Sequence, residues 1–106
     1  MTAYPHASFR IELAPGKKLG PGKVRLLELV AGTGSISAAA REMGMSYRRA
    51  WLLIEDSNTL FGAPLVESSA GGAGGGGARL TALGQQVIAA YRSARDGVRV
   101  GLPLVF

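Results

Sequence analysis

Apolar and polar residues alternate along Phe9, Arg10, Ile11, Glu12 and Leu13, a period of two that predicts a short, half-buried strand. Pro15-Gly16-Lys17-Lys18 breaks that pattern. At Pro21 the missing backbone N–H costs a helix start nothing. Val24, Leu27, Val30 and Ala31 then recur at helical spacing and predict a first amphipathic helix over residues 21–32, closed by Gly32 and Gly34. Ser35 is a suitable cap for a second helix over 36–43, because its hydroxyl can satisfy an orphan backbone N–H. Gly44 follows where a left-handed residue is wanted. Ser46 opens a third helix over 46–60, with Ala50, Leu53, Ile54 and Phe61 as its inward stripe, and Gly62-Ala63-Pro64 stops it. Leu65-Val66-Glu67 and Ala78-Arg79-Leu80 read as two strands around the glycine-rich run 71–77, and so as a hairpin. Thr81 caps a fourth helix, whose stripe is Leu83, Val87, Ala90, Tyr91, Ala94 and Val98. The expected fold is mostly α (α+β): a winged helix-turn-helix in the order strand, three helices, hairpin wing, helix. A flexible N-terminus over 1–8, the winged domain over 9–98 and a tail over 99–106 complete the expected organisation.

The second and third predicted helices carry the most specific spacing. A helix-turn-helix needs a small residue where its helices cross, a glycine in the turn, and apolar residues that lock the steep angle. Ala40 and Gly44 supply the first two; Met43, Met45, Ala50 and Leu53 or Ile54 supply the lock. An ordinary helical hairpin with a glycine turn has a similar outline, so the chemistry of the third helix matters. Its first turn holds Ser46, Tyr47, Arg48 and Arg49, at the end of such a helix that enters the major groove. Arginine pairs bidentately with guanine edges or phosphates, and Ser and Tyr hydroxyls bind phosphate oxygens. Trp51 is open to two readings, core packing or contact with a sugar or thymine methyl. Ser35 joins the candidate DNA-contacting set from the start of the second helix. Gly74, Gly75 and Gly76 join it as a side-chain-free wing that can approach a sugar-phosphate backbone closely. Arg79 adds a cation at the wing, with Lys17, Lys18 and Lys23 as further phosphate-binding candidates.

Composition narrows the classes. The 106 residues are 47% hydrophobic, enough for a core, and carry a formal net charge of +5. That excess favours phosphate-rich partners through long-range attraction and counterion release. There is no cysteine and one histidine, His6, so no thiolate chemistry and no multi-histidine metal site is available. Neither metal nor cofactor is expected. Gly72 to Gly77 formally satisfies G-x-G-x-x-G, with Asp96 about 20 residues on. A dinucleotide site also needs a second parallel strand ending in that acid, whereas Asp96 falls inside a helical pattern. Glu28, Glu42, Glu55, Asp56 and Glu67 are scattered, and the neighbours Glu55 and Asp56 point in different directions from a helix. No enzyme is expected. No stretch approaches the roughly 20 apolar residues of a membrane span, and the N-terminus lacks a secretory pattern. The expected compartment is the cytoplasm.

Gly34-Ser35-Ile36-Ser37, Ala39-Ala40, Ser46-Tyr47, Ala50-Trp51, Ile54, Asn58, Leu60, Leu65-Val66-Glu67, the glycine tract with Ala78, Leu80-Thr81 and Gly84-Gln85 resemble the N-terminal domain of the molybdate-responsive ModE-type regulators. The likeness covers roughly residues 9–97, with a more distant similarity to LysR-type DNA-binding domains. It implies a homodimer built through the first and fourth helices, whose third helices read an inverted repeat in double-stranded DNA. Family members that sense molybdate do so with a separate C-terminal domain, which is not in this sequence. The expected function is therefore that of a stand-alone, sequence-specific transcriptional regulator, with any effector sensed by a separate partner. The alternative is a protein–protein interaction module on the same scaffold with weak, non-specific DNA binding, suggested by the apolar tail.

Overall fold

The computed structural model of the chain describes residues 8–72 and 75–97. Two strands, β1 (Ile11–Ala14) and β2 (Lys17–Leu19), precede three helices, α1 (Pro21–Thr33), α2 (Ile36–Glu42) and α3 (Tyr47–Asn58). Strands β3 (Val66–Gly72) and β4 (Gly75–Leu80) follow, and α4 (Ala82–Gly97) closes the described chain. This is the winged helix-turn-helix that the hydrophobic pattern predicts, with one element more. The break at Pro15-Gly16 is a hairpin turn, so Lys17–Leu19 returns antiparallel to β1 with Ile11 opposite Leu19. Gly16 takes φ +77°, a backbone region that favours glycine. A three-residue strand of two lysines and one leucine has too little alternation to show in the sequence.

The core lies between the helices and the roots of both hairpins. Leu26, Leu27 and Val30 of α1, Ala39 and Ala40 of α2, and Ala50 and Ile54 of α3 are buried together with Leu65, Val66, Ala78, Val87, Ile88 and Tyr91. Alanines at 39, 40 and 50 let α2 and α3 approach α1 closely, and Met43 and Met45 pack half-buried against the same cluster. Each helix start is defined locally. The Ser35 hydroxyl accepts from the Ala38 N–H at 3.1 Å, and Ser46 does the same for Arg49 at 3.1 Å. Gly34 and Gly44 both have positive φ and end α1 and the turn after α2.

The fourth helix differs from its predicted stripe. Gly84, Val87, Ile88 and Tyr91 are buried, whereas Ala90 and Ala94 are exposed and Val98 lies outside the described residues. Gly84 makes this packing possible: a Cβ there would overlap the Leu65 carbonyl oxygen, so only glycine lets α4 pack so close to the β3 root. Tyr91 then reaches the N-terminal segment, its hydroxyl donating to the Phe9 carbonyl at 2.5 Å with the two rings edge to face. Arg92 pairs with Glu28 and ties α4 to α1.

Candidate nucleic-acid interface

Helix α3 is shaped by opposed demands on its two sides. Ala50, Ile54 and Ser57 face inward, and the buried Ser57 hydroxyl is satisfied by donating to the Leu53 carbonyl at 2.8 Å. Tyr47, Arg48, Arg49, Trp51, Leu52 and Glu55 are exposed. Trp51 is 43% exposed, Leu52 47% and Tyr47 54%. The two readings of Trp51 therefore resolve toward solvent. Burial of large apolar side chains is the usual outcome, so three outward ones on one helix form a surface that the described residues leave uncovered.

The cap geometry leaves polar capacity at both serines. Ser35 and Ser46 each accept one backbone N–H, and each hydroxyl retains its own proton to donate. Ser46 is exposed and starts α3 beside Arg48 and Arg49, while Ser35 is half-buried. Ser35 lies beside the wing instead: the Ala78 N–H donates to the Gly34 carbonyl at 2.9 Å, which joins β4 to the start of α2.

The wing is longer than the predicted pair of three-residue strands. β3 and β4 pair antiparallel from Val66 opposite Leu80 up to Gly72 opposite Gly75, so glycines that read as loop belong to the ladder. Gly75 and Gly76 are thus in β4, and Gly74 lies outside the described residues, as do His6 and the tail over 99–106. Two side chains fix the wing root. Asn58 at the end of α3 accepts from the N–H groups of Leu65 and Val66 at 2.9 and 3.0 Å and donates to the Val66 carbonyl at 3.1 Å. Thr81 donates its hydroxyl proton to the Pro64 carbonyl at 2.8 Å and accepts from the Gly84 N–H at 3.0 Å.

Two expected phosphate contacts have partners within the chain. Arg79 pairs with Glu67 directly across the ladder at 3.0 Å while remaining well exposed, so its guanidinium is held but accessible. Lys23 donates to the Lys18 carbonyl at 3.1 Å and pairs with Asp56 of α3. With only 17% of its side chain exposed, Lys23 braces α1 against α3. Sequence reasoning gave no role to Leu52 or Asn58 individually. For Leu52 the signal was present: Trp51-Leu52-Leu53-Ile54 contains more apolar residues than one helical stripe can bury.

This arrangement of two capped helices, glycine turn and pinned hairpin has known counterparts. Residues 22–85 match the model of the bacterial regulatory helix-turn-helix proteins of the lysR family. The chain belongs to that family. The matched stretch runs from the first turn of α1 into α4 and so contains the whole helix-turn-helix and the hairpin. Among curated proteins, this lysR-family chain is similar to the molybdenum-pterin-binding protein MopB of Rhodobacter capsulatus, 48% identical over 83 residues, which are 78% of this chain and 31% of that one. It is 48% identical to the transcriptional regulator ModE of Yersinia pestis over 71 residues, 67% of this chain and 27% of that one. It is 46% identical to the DNA-binding transcriptional dual regulator ModE of Escherichia coli K12, with the same 67% and 27% shares. The resemblance to ModE-type regulators read from the motifs is borne out by these relatives, and they are named as regulators or binding proteins. The chain spans about a third of the length of the curated relatives it matches. Among the described residues no helix is long and apolar enough to cross a membrane, and no three His, Cys, Asp or Glu side chains cluster to hold a metal ion.

Proposed function

We propose that this chain binds DNA sequence-specifically as a transcriptional regulator, with α3 in the major groove. The observation that carries this reading is the outward face of α3, where Tyr47, Arg48, Arg49 and Trp51 are exposed next to a capped, basic first turn. Ser46 and the two arginines contact phosphates or guanine edges from that turn. Ser35, the glycine strand residues and Arg79 contact the backbone from the wing side. The exposed Ala90 and Ala94 of α4 support a homodimer formed through α1 and α4, and hence an inverted repeat as the operator. A domain of this size buries a modest fraction of its unfolded surface, so pairing would also stabilise it.

The test is selection of fragments from sheared genomic DNA by the purified protein at physiological salt, followed by sequencing. Enrichment of an inverted repeat supports the proposal. Arg48→Ala and Arg49→Ala should then each weaken binding by about 1–3 kcal/mol wherever a base contact is lost, with unchanged thermal melts. Retention without a shared sequence, or a binding constant insensitive to salt, would overturn it in favour of a protein-interaction module.

A further inference from the structure

The exposed residues of α3 are not equivalent. At about 100° per residue, Arg48, Leu52 and Glu55 form one narrow stripe centred opposite the buried Ala50, Ile54 and Ser57. Tyr47 and Trp51 flank that stripe on one side, and Arg49 and Asp56 on the other. Together with Trp51, the stripe occupies positions i, i+3, i+4 and i+7 of the helix, the spacing with which a helix laid in the major groove presents side chains to base edges. From Arg48 to Glu55 the helix rises about 10 Å, which matches about three base-pair steps of about 3.4 Å. A shallow hollow of about 470 Å³ borders the stripe, lined by Ser46, Arg48, Arg49, Leu52, Leu53 and Asp56.

Two of these residues are out of place on a helix that met only phosphates. Leu52 is 47% exposed although Leu53 and Ile54 beside it are drawn toward the core. Glu55 carries a negative charge that phosphates repel. Its neighbour Asp56 is neutralised by Lys23, whereas no cation of the described residues lies within ion-pair distance of Glu55. Both oddities have the same explanation in base chemistry. A leucine side chain packs against the C5-methyl group of thymine, and a glutamate accepts from the N4 amino group of cytosine. A carboxylate also repels the acceptor-rich edge of guanine, so it discriminates by exclusion as well as attraction.

We infer that Leu52 and Glu55 are specificity-determining residues, and that the stripe reads guanine with Arg48, then a thymine methyl with Leu52, then cytosine with Glu55. Tyr47 and Arg49 meet the sugar-phosphate walls on either side, and Trp51 borders the stripe. The inference rests on the placement of α3 in the major groove proposed above and adds which residues decide the sequence.

The experiment is selection of binding sites from a randomised duplex library with the full chain and with its Leu52→Ala and Glu55→Gln variants, followed by titration of the selected site with single thymines replaced by deoxyuridine. The wild type should lose about fourfold in affinity at one thymine of each half-site, the value of one buried methyl group. Leu52→Ala should be indifferent to that replacement. Glu55→Gln should change its selected base from cytosine to adenine at one position, because glutamine pairs with the adenine N6/N7 edge, and leave the other positions intact. Both substitutions are at exposed sites, and matching melts confirm folding. Selection of a clear site by the wild type, with no deoxyuridine effect and the same consensus from Glu55→Gln, overturns this assignment and leaves the proposed function standing. Failure of the wild type to select any site overturns both.

Discussion

Helices α3 and α4 are both amphipathic, both begin behind a hydroxyl residue and both bury one face in the same core, yet their outer faces differ in kind. The outer face of α3 holds Tyr47, Arg48, Arg49, Trp51 and Leu52, large groups with strong directional chemistry. That of α4 holds mostly small or neutral residues, Ala82, Gln85, Gln86, Ala89, Ala90 and Ala94, while its charged residues are paired, Arg92 with Glu28 and Arg95 with Asp96. The inner faces differ too. α3 packs through side chains, principally Ile54, whereas α4 reaches the β3 root because Gly84 has no side chain at all. Amphipathicity thus locates the core but leaves the role of a helix to its polar side. α3 leaves long side chains in solvent, whereas α4 is tied to the scaffold through Gly84, Tyr91 and Arg92.

Substitutions at three positions test this difference between the two helices. The largest effect is expected inside α3: Ile54→Ala should cost about 2–5 kcal/mol of stability through the cavity it leaves, read from denaturant titration. A loss under 1 kcal/mol would show that α3 does not depend on side-chain packing as described. In α4, Gly84→Ala should cost about 1–3 kcal/mol through overpacking against the Leu65 carbonyl, although alanine is the better helix former. A stabilised variant would show that the close approach is not required.

The smallest effect is at Tyr91. Burial raises its hydroxyl pKa above the ordinary 10, the nearby Arg95 guanidinium lowers it in part, and Glu28 raises it further. The fold therefore favours the neutral phenol. Its contribution is complete below about pH 10 and declines as pH rises through the folded-state pKa, because the unfolded chain gives up the proton more readily. Tyr91→Phe should cost about 1 kcal/mol at neutral pH by removing the bond to the Phe9 carbonyl. It should also flatten the alkaline loss of stability seen by thermal melts on either side of about pH 10. An unchanged alkaline slope would place that titration elsewhere.

The sequence displayed the architecture through short-range signals. Ser35, Ser46 and Thr81 read as caps, Gly34 and Gly44 as helix ends, and their positions in the structure agree because capping and left-handed turns are local chemistry. The first turn of α3 was legible for the same reason: a serine cap followed by Tyr47, Arg48 and Arg49 is contiguous. The strand β2 was missed because three residues are too few for a period to emerge, and the glycine strands because glycine carries no side-chain pattern.

What the sequence alone determined is thus the order of the elements, the helix-turn-helix spacing and the basic outward turn, each set by residues within a few positions of one another. Tertiary structure alone decided which of several equivalent-looking residues does which task. Lys23 and Arg79 look alike in the sequence, but one is spent bracing Asp56 and the other stays accessible across from Glu67. Ala90 belongs to the apolar period of α4, yet it is exposed while Gly84 of the same helix is buried against Leu65. In the apolar run from Trp51 to Ile54, only the packing of α3 against α1 and α2 selects Ile54 for the core and leaves Trp51 and Leu52 in solvent. Such choices depend on residues far apart in the chain, whose approach is fixed by close packing of the whole core and not by any local preference.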